Sequence, residues 1–407
     1  MEAAMKESEK APAMRLFLLS LIIASFAAKI IDVVVPLLLV DVAGTFDVAV
    51  GTAGRVSAIS TLAAMIVAVL TGAFAVRFKH RMLLLTGVFC IIICAIGCFW
   101  APNFLAFQAF YAFNGIGSAL VGIMGSTLIG EFFPLEKKAK ALGLLLATGS
   151  IATLIGAPVT SIIADAEGWR SVLSWFMLPI AVASLVLVFF VLPSKTRELQ
   201  LTHKKEPYLN GFRSVLTNVS AVACLAGGFL VAAFLGGGTY GMAFLQETFS
   251  VSTSLRALIM LTASAFIAIG STVGGQLVNR YGRKRMAVTN GLLACTFGAV
   301  SYFLPNLWLV LILRFASALF GGMALVGGSA LNLEQVPKFR GTMMSLGRVA
   351  GGIGAVTGVI VAGGVLNLYN YQAMGLTIGL IGISGAIIMI LLAKDPIKTQ
   401  TIGPKPS

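Results

Sequence analysis

Twelve stretches of about twenty apolar residues divide this chain, and no other feature limits its possible folds so strongly. A helix needs about 20 apolar residues to cross a bilayer, where no water can satisfy an exposed backbone group. The runs lie near 15–40, 54–76, 83–100, 105–130, 139–164, 172–193, 216–241, 254–279, 286–304, 308–333, 341–366 and 372–393. Hydrophobic residues make up 58% of the 407 and charged residues 11%, with a mean hydropathy of +0.97, which excludes a single water-soluble globule. The polar N-terminus lacks the short apolar core and small-residue cleavage pattern of a signal peptide, so the first run is expected to be retained as a span. The links at 101–103 and 304–306 are too short for a soluble domain. The longest polar stretch, 194–214, reads as a linker between two halves.

Charge orients the bundle. An even number of spans puts both termini on one side, and 23 of the 29 Lys and Arg residues fall there. The opposite side has Arg55, Arg170 and Arg256, and three more cations lie within spans. Such a bias over short loops assigns the rich side, and both termini, to the cytoplasm. The net charge of +14 then faces anionic lipid headgroups rather than nucleic acid. The expected domains are a tail over 1–14, a six-helix bundle over 15–193, the linker 194–214, a second bundle over 215–393 and a tail over 394–407. Cys90, Cys94 and Cys98 stack on one apolar helix face, but His80 and His203 are far from them in sequence, so helix packing is preferred to a metal site.

The two halves repeat at an offset of 203 residues. Gly72 to Arg81 follows the second span as Gly275 to Lys284 follows the eighth. The same offset takes Glu131 to Glu334 and Pro134 to Pro337. Landmarks sharing one offset indicate a duplicated six-helix unit, with two copies facing a central path.

On these residues the chain resembles the major facilitator superfamily over essentially its whole length, and within it the twelve-span drug/proton antiporters and the sugar (arabinose-type) efflux permeases. The family's loop signature is nearly intact at Gly275, Leu277, Asn279, Arg280, Gly282, Arg283 and Lys284. In the first half Gly72 and Arg77 remain, while Val76 takes the acidic position and Lys79 the second glycine position. Gly156-Ala157-Pro158, Gly168-Trp169-Arg170 and Arg340 to Leu346 resemble further family segments. The resemblance implies an all-α membrane protein of the major facilitator fold, with twelve transmembrane helices in two pseudo-symmetric six-helix bundles. It also implies that spans 1, 4, 7 and 10 line the cavity and that 2, 5, 8 and 11 flank it.

Arg77, Glu131, Asn279, Arg280, Gly282, Arg283 and Glu334 are candidate parts of a cytoplasmic gate; the basic members could also be simple interfacial anchors. With Val76 and Asn279 both neutral, that closure depends less on charge than in typical relatives. Pro158 removes a backbone hydrogen bond and permits a bend or a packing irregularity. Gly236 to Gly241 form a weak helical patch within span seven, a candidate bend beside Tyr240.

Four charges sit inside spans, where each costs roughly 2.5–3.5 kcal/mol at the bilayer centre. Lys29 and Asp32 share a face of span one; Arg314 is in span ten and Arg348 in span eleven. All fall on spans the resemblance places at or beside the cavity. Asp32 is the one carboxylate deep in a span, hence the candidate proton carrier with Lys29; a static ion pair or a substrate contact are the alternatives. Arg314 and Arg348 could hold an organic anion, but Arg314 could pair with Asp32 and Arg348 could snorkel to the interface. Phe26, Gln108, Tyr111, Asn114 and Tyr240 complete the candidate substrate set, with packing or helix–helix hydrogen bonding as the alternative.

The expectation is a secondary active transporter exporting a small organic solute by proton antiport through alternating access. The alternative is an organic-anion uniporter, exchanger or proton symporter built on Arg314 and Arg348. A receptor or scaffold has little need of interior charges, and an enzyme would need a compact catalytic centre that the sequence does not offer. No cofactor and no metal are expected. The partners are solute, protons and lipid, in a functional monomer of a prokaryotic cytoplasmic membrane.

Overall fold

The computed structural model describes residues 2–74, 79–133, 135–192 and 208–395, and every regular element among them is helical. Twelve helical stretches are long and apolar enough to cross a membrane. In chain order, spans one to six are Leu16–Leu37, Val50–Thr71, His80–Trp100, Phe104–Phe132, Ala141–Glu167 and Trp169–Val191. Spans seven to twelve are Val219–Phe249, Thr253–Val278, Arg283–Phe303, Leu307–Gln335, Pro337–Leu368 and Tyr371–Leu392. All bounds but one lie within five residues of the sequence expectation. The exception is span seven, which runs on to Phe249. Its glycine patch tightens into a 3-10 turn at Gly238–Tyr240 and the helix resumes at Gly241.

The internal repeat is visible in the caps. At the start of span four the Asn103 side chain accepts the Ala106 amide at 2.8 Å, and at the start of span ten Asn306 accepts the Trp308 amide at 2.9 Å. Each satisfies a donor that a helix N-terminus otherwise leaves unpaired. Span one stops at Leu37, and a short helix follows at Leu39–Thr45. Pro36 causes the weakness, because it offers no N–H to the Asp32 carbonyl four residues earlier. Pro158 lies inside one continuous helix, Leu135–Glu167. Gly282 opens span nine at φ 88, a conformation that strains any residue with a Cβ. Spans seven and eleven approach so closely that a Cβ on Gly358 would collide with the Ala233 carbonyl.

The chain forms two compact units. The first contains 1–48, 59–201 and 251–258; the second contains 49–58, 202–250 and 259–407. The start of span two packs within the second unit: the Tyr240 hydroxyl reaches the Gly51 carbonyl at 2.9 Å, and the Asn367 amide donates to Thr52 at 2.9 Å. The start of span eight packs within the first, through Arg256. The expected linker is not all irregular, since residues 208–214 belong to the helix Tyr208–Thr217. Val215 draws that helix into a buried cluster with Cys224, Val288, Leu331 and Met343. Residues 194–207 of the linker and 396–407 of the C-terminal tail lie outside the described residues. The first helix begins at Glu2, inside the expected N-terminal tail.

Candidate functional site

In the first unit the two charges of span one form an ion pair: Lys29 Nζ lies 3.0 Å from Asp32 Oδ2. The i, i+3 spacing places both on one face, and the side chains remain 45% and 42% exposed. Asn114 of span four is fully buried and donates its side-chain amide to Asp32 Oδ1 at 3.2 Å. Both carboxylate oxygens of Asp32 are therefore engaged, one by a charge and one by a neutral donor. Tyr111, one turn before Asn114, is buried and donates to the Ile31 carbonyl at 3.4 Å, which binds span four to span one. Gln108 is half-buried, and Phe26 meets Phe176 edge-on at 6.4 Å.

The second unit holds a partly open cavity of about 420 Å³. Its wall is mostly apolar, with Phe234, Met242, Ile259 and Phe315, and its polar groups include Arg314, Ser317 and Asn332. The Arg314 guanidinium lies 4.7 Å from the Tyr302 ring and 5.3 Å from Phe244. Its Nε and Nη2 are buried and have no hydrogen-bond acceptor among the described residues. A cation beside two rings gains from their negative faces, but its unpaired N–H donors keep their desolvation penalty. Arg348 does not line the cavity, although its neighbours Gly347 and Gly351 do; it is exposed.

Tyr240 is not among the residues that line this cavity. It is wholly buried, and its hydroxyl is committed to the Gly51 and Val359 carbonyls at 2.9 and 3.1 Å. Those two main-chain acceptors, far away in sequence, share its single O–H. The second-half loop follows the family pattern in part. Arg283 lies 3.5 Å from Glu334, and Arg340 donates to both oxygens of Glu334 at 3.1 Å. Arg280 instead lies over the Tyr281 ring at 5.6 Å. Arg77 and the side chain of Asn279 lie outside the described residues.

Sequence reasoning missed three partners. His80 Nδ1 is 2.6 Å from Glu131 Oε1, whose side chain is 1% exposed. The 203-residue offset maps this pair onto Arg283–Glu334, so the signal was present in the repeat. Arg340 appeared only as part of a family segment. Arg256 was counted as a loop charge, yet it is 1% exposed and donates to the Leu37 carbonyl at 2.6 Å and to Thr253 at 3.2 Å. Its place three residues inside an apolar run was the available clue. Among the described residues no three His, Cys, Asp or Glu side chains come together as metal ligands.

A multi-pass membrane bundle with charged groups held inside its spans is suited to carrying a solute rather than transforming one. The family model for the Major Facilitator Superfamily matches residues 17–265 and 237–407, and the chain belongs to that family. It is accordingly a transport protein and not an enzyme, moving a small solute by secondary-active alternating access. It is 26% identical over 265 residues to the uncharacterized MFS-type transporter YtbD of Bacillus subtilis, 65% of each chain. It is 21% identical over 364 residues to the cis,cis-muconate transport protein of Acinetobacter baylyi, covering 83% of this chain and 85% of that one. Among solved structures, the nucleoside transporter NupG superposes with a TM-score of 0.78 at 15% identity, over 93% of this chain and all of the other.

Proposed function

We propose that the chain is a proton symporter of a small organic anion, with the substrate carboxylate held by Arg314 and the proton carried by Asp32. The observation that carries this reading is the Arg314 guanidinium, whose Nε and Nη2 are buried beside an apolar cavity without an acceptor. A carboxylate can accept two parallel bonds from such a fork and would satisfy both donors at once. The similarity to a protein named for transport of cis,cis-muconate, a dicarboxylate, supports the same charge sign. Arg348 is exposed and stands outside the cavity wall, so in this reading Arg314 makes the contact with the anion. Symport suits this charge balance, because a proton taken up on Asp32 offsets the negative charge of the solute.

The pairs Arg283–Glu334 and His80–Glu131 act in this reading as latches at the basic ends of the spans, with Pro158 allowing span five to bend. The membrane is a bacterial cytoplasmic membrane, with the basic loops and both termini inside. A second reading, proton-driven export of a lipophilic solute of the kind the drug and sugar efflux branches carry, is favoured by the apolar wall of the cavity. Proteoliposomes loaded with a pH-sensitive dye separate the two. Symport predicts that added muconate or a related carboxylate acidifies the lumen and that Asp32→Asn abolishes the signal. Proton movement with lipophilic cations alone, in the opposite direction, would overturn the anion reading.

A further inference from the structure

On its lipid-side surface the second unit has a groove of about 330 Å³ between the start of span nine and the end of span twelve. Arg285, Val288, Thr289 and Leu292 line one side. Their spacing of three, four and seven residues puts them on a single helical face. That face descends about 10 Å from the charged end of span nine into its apolar part. Ile390 of span twelve forms the other wall, and Tyr281 stands at the top.

The charges at the top are not equivalent. Lys284 is committed, because its Nζ donates to the Ile390 carbonyl at 2.7 Å near the C-terminus of span twelve. Asp395 Oδ2 accepts the Lys284 amide at 3.3 Å, close to the N-terminus of span nine. Arg285 is exposed, and its guanidinium has no hydrogen bond or ion pair among the described residues. Two cations against one carboxylate leave one positive charge in excess, and Arg285 carries it freely.

The repeat supplies an internal control. At the 203-residue offset the first unit has a groove of about 460 Å³ lined by Leu85, Thr86 and Phe89 of span three and by residues of span six. There Arg81 takes the place of Lys284 and donates to the Phe189 carbonyl of span six. The position of Arg285 is taken by Met82. Duplication has therefore kept the apolar groove and the capping cation in both units, while among the described residues that line the two grooves an unpaired cation is found in the second.

We propose that the span nine–span twelve groove binds an anionic phospholipid. Arg285 holds the phosphate, and one acyl chain lies along Thr289 and Leu292 against Ile390. A guanidinium at the interface above an apolar slot matches a phosphodiester with attached chains, and the bilayer supplies such a ligand at high local concentration.

Native mass spectrometry of the full-length protein in detergent tests this, with phosphatidylglycerol and phosphatidylcholine of identical chains as probes. The wild type is expected to retain phosphatidylglycerol in preference. Arg285→Met is expected to weaken that retention about fivefold, and phosphatidylcholine binding should not change. Leu292→Trp, which fills the slot and leaves the charge, should weaken both lipids. Arg213→Met removes another exposed cation outside the groove and should have no effect. Equal retention of the two lipids by the wild type, an unchanged preference in Arg285→Met, or an equal loss in Arg213→Met would each overturn the proposal. So would inorganic phosphate displacing the lipid at millimolar concentration, since the acyl slot would then contribute nothing.

Discussion

Arg256 of span eight donates through Nη1 to the main-chain carbonyl of Leu37, 2.6 Å away, at the residue where span one ends. Span one is interrupted there after Pro36, and the guanidinium takes a carbonyl that a continuous helix would have bonded internally. Asp41 Oδ2 stands 4.0 Å away on the short helix that follows. The side chain thus ties segment 251–258 to the end of the helix that carries Asp32. Arg256→Met keeps the bulk and removes the donors, leaving a buried carbonyl unpaired. A loss of about 1–3 kcal/mol of stability is expected, read by thermal or denaturant unfolding in detergent. Unchanged stability would show that the bond is dispensable.

Tyr240→Phe separates packing from substrate contact. The hydroxyl donates to carbonyls of Gly51 and Val359, and Tyr240 is not among the residues that line the cavity beside Arg314. Its removal should lower stability by about 1 kcal/mol and leave substrate affinity within twofold of wild type. A selective loss of affinity at unchanged stability would return Tyr240 to the binding site.

Asn114 is a neutral donor to Asp32 and is itself fully buried. Asn114→Ala leaves Asp32 with Lys29 alone and removes one of the bonds joining spans four and one. Proton-coupled flux is expected to fall about tenfold, a barrier increase of 1.4 kcal/mol. Binding of the organic anion, which rests on Arg314, should persist. Flux measured with the entrapped dye, and affinity measured separately by calorimetry, distinguish those effects.

The basic-end latches can be compared through the repeat. Glu334 answers to two arginines, whereas Glu131 has His80. His80→Arg makes the first pair resemble the second and should keep transport near wild type. His80→Ala strands the buried Glu131 carboxyl and should cost about 1–3 kcal/mol of stability with a fall in transport. Equal activity in His80→Ala and His80→Arg would remove the pair from the transport cycle.

The spans were legible because a bilayer demands long apolar runs, and nothing else in a chain produces twelve of them. The Lys29–Asp32 pair was legible too, since a spacing of three residues fixes a shared helix face whatever the tertiary fold. Contacts decided by distant parts of the chain could not be read in this way. Tyr240 has the chemistry of a substrate contact, and its commitment to Gly51 and Val359 depends on how spans two, seven and eleven meet. Arg256 has the composition of a loop charge, and its burial depends on the interruption of span one. His80 shows an intermediate case: its acidic partner is encoded by the 203-residue repeat, but only a reader who maps histidine onto arginine finds it. The helix at Tyr208–Thr217 escaped notice because its polar face masks the apolar residues that dock it.

The central claim, that Arg314 holds the carboxylate of the transported solute, is tested most directly by binding. Calorimetric titration of cis,cis-muconate and of its neutral diamide into wild type and Arg314→Gln, each checked for folded protein, isolates the charge recognition. The account predicts measurable binding of the dianion to wild type, weaker binding of the diamide, and a loss of about tenfold to hundredfold for the dianion in Arg314→Gln. Tighter binding of the diamide than of any carboxylate, or equal dianion affinity in the variant, would contradict it.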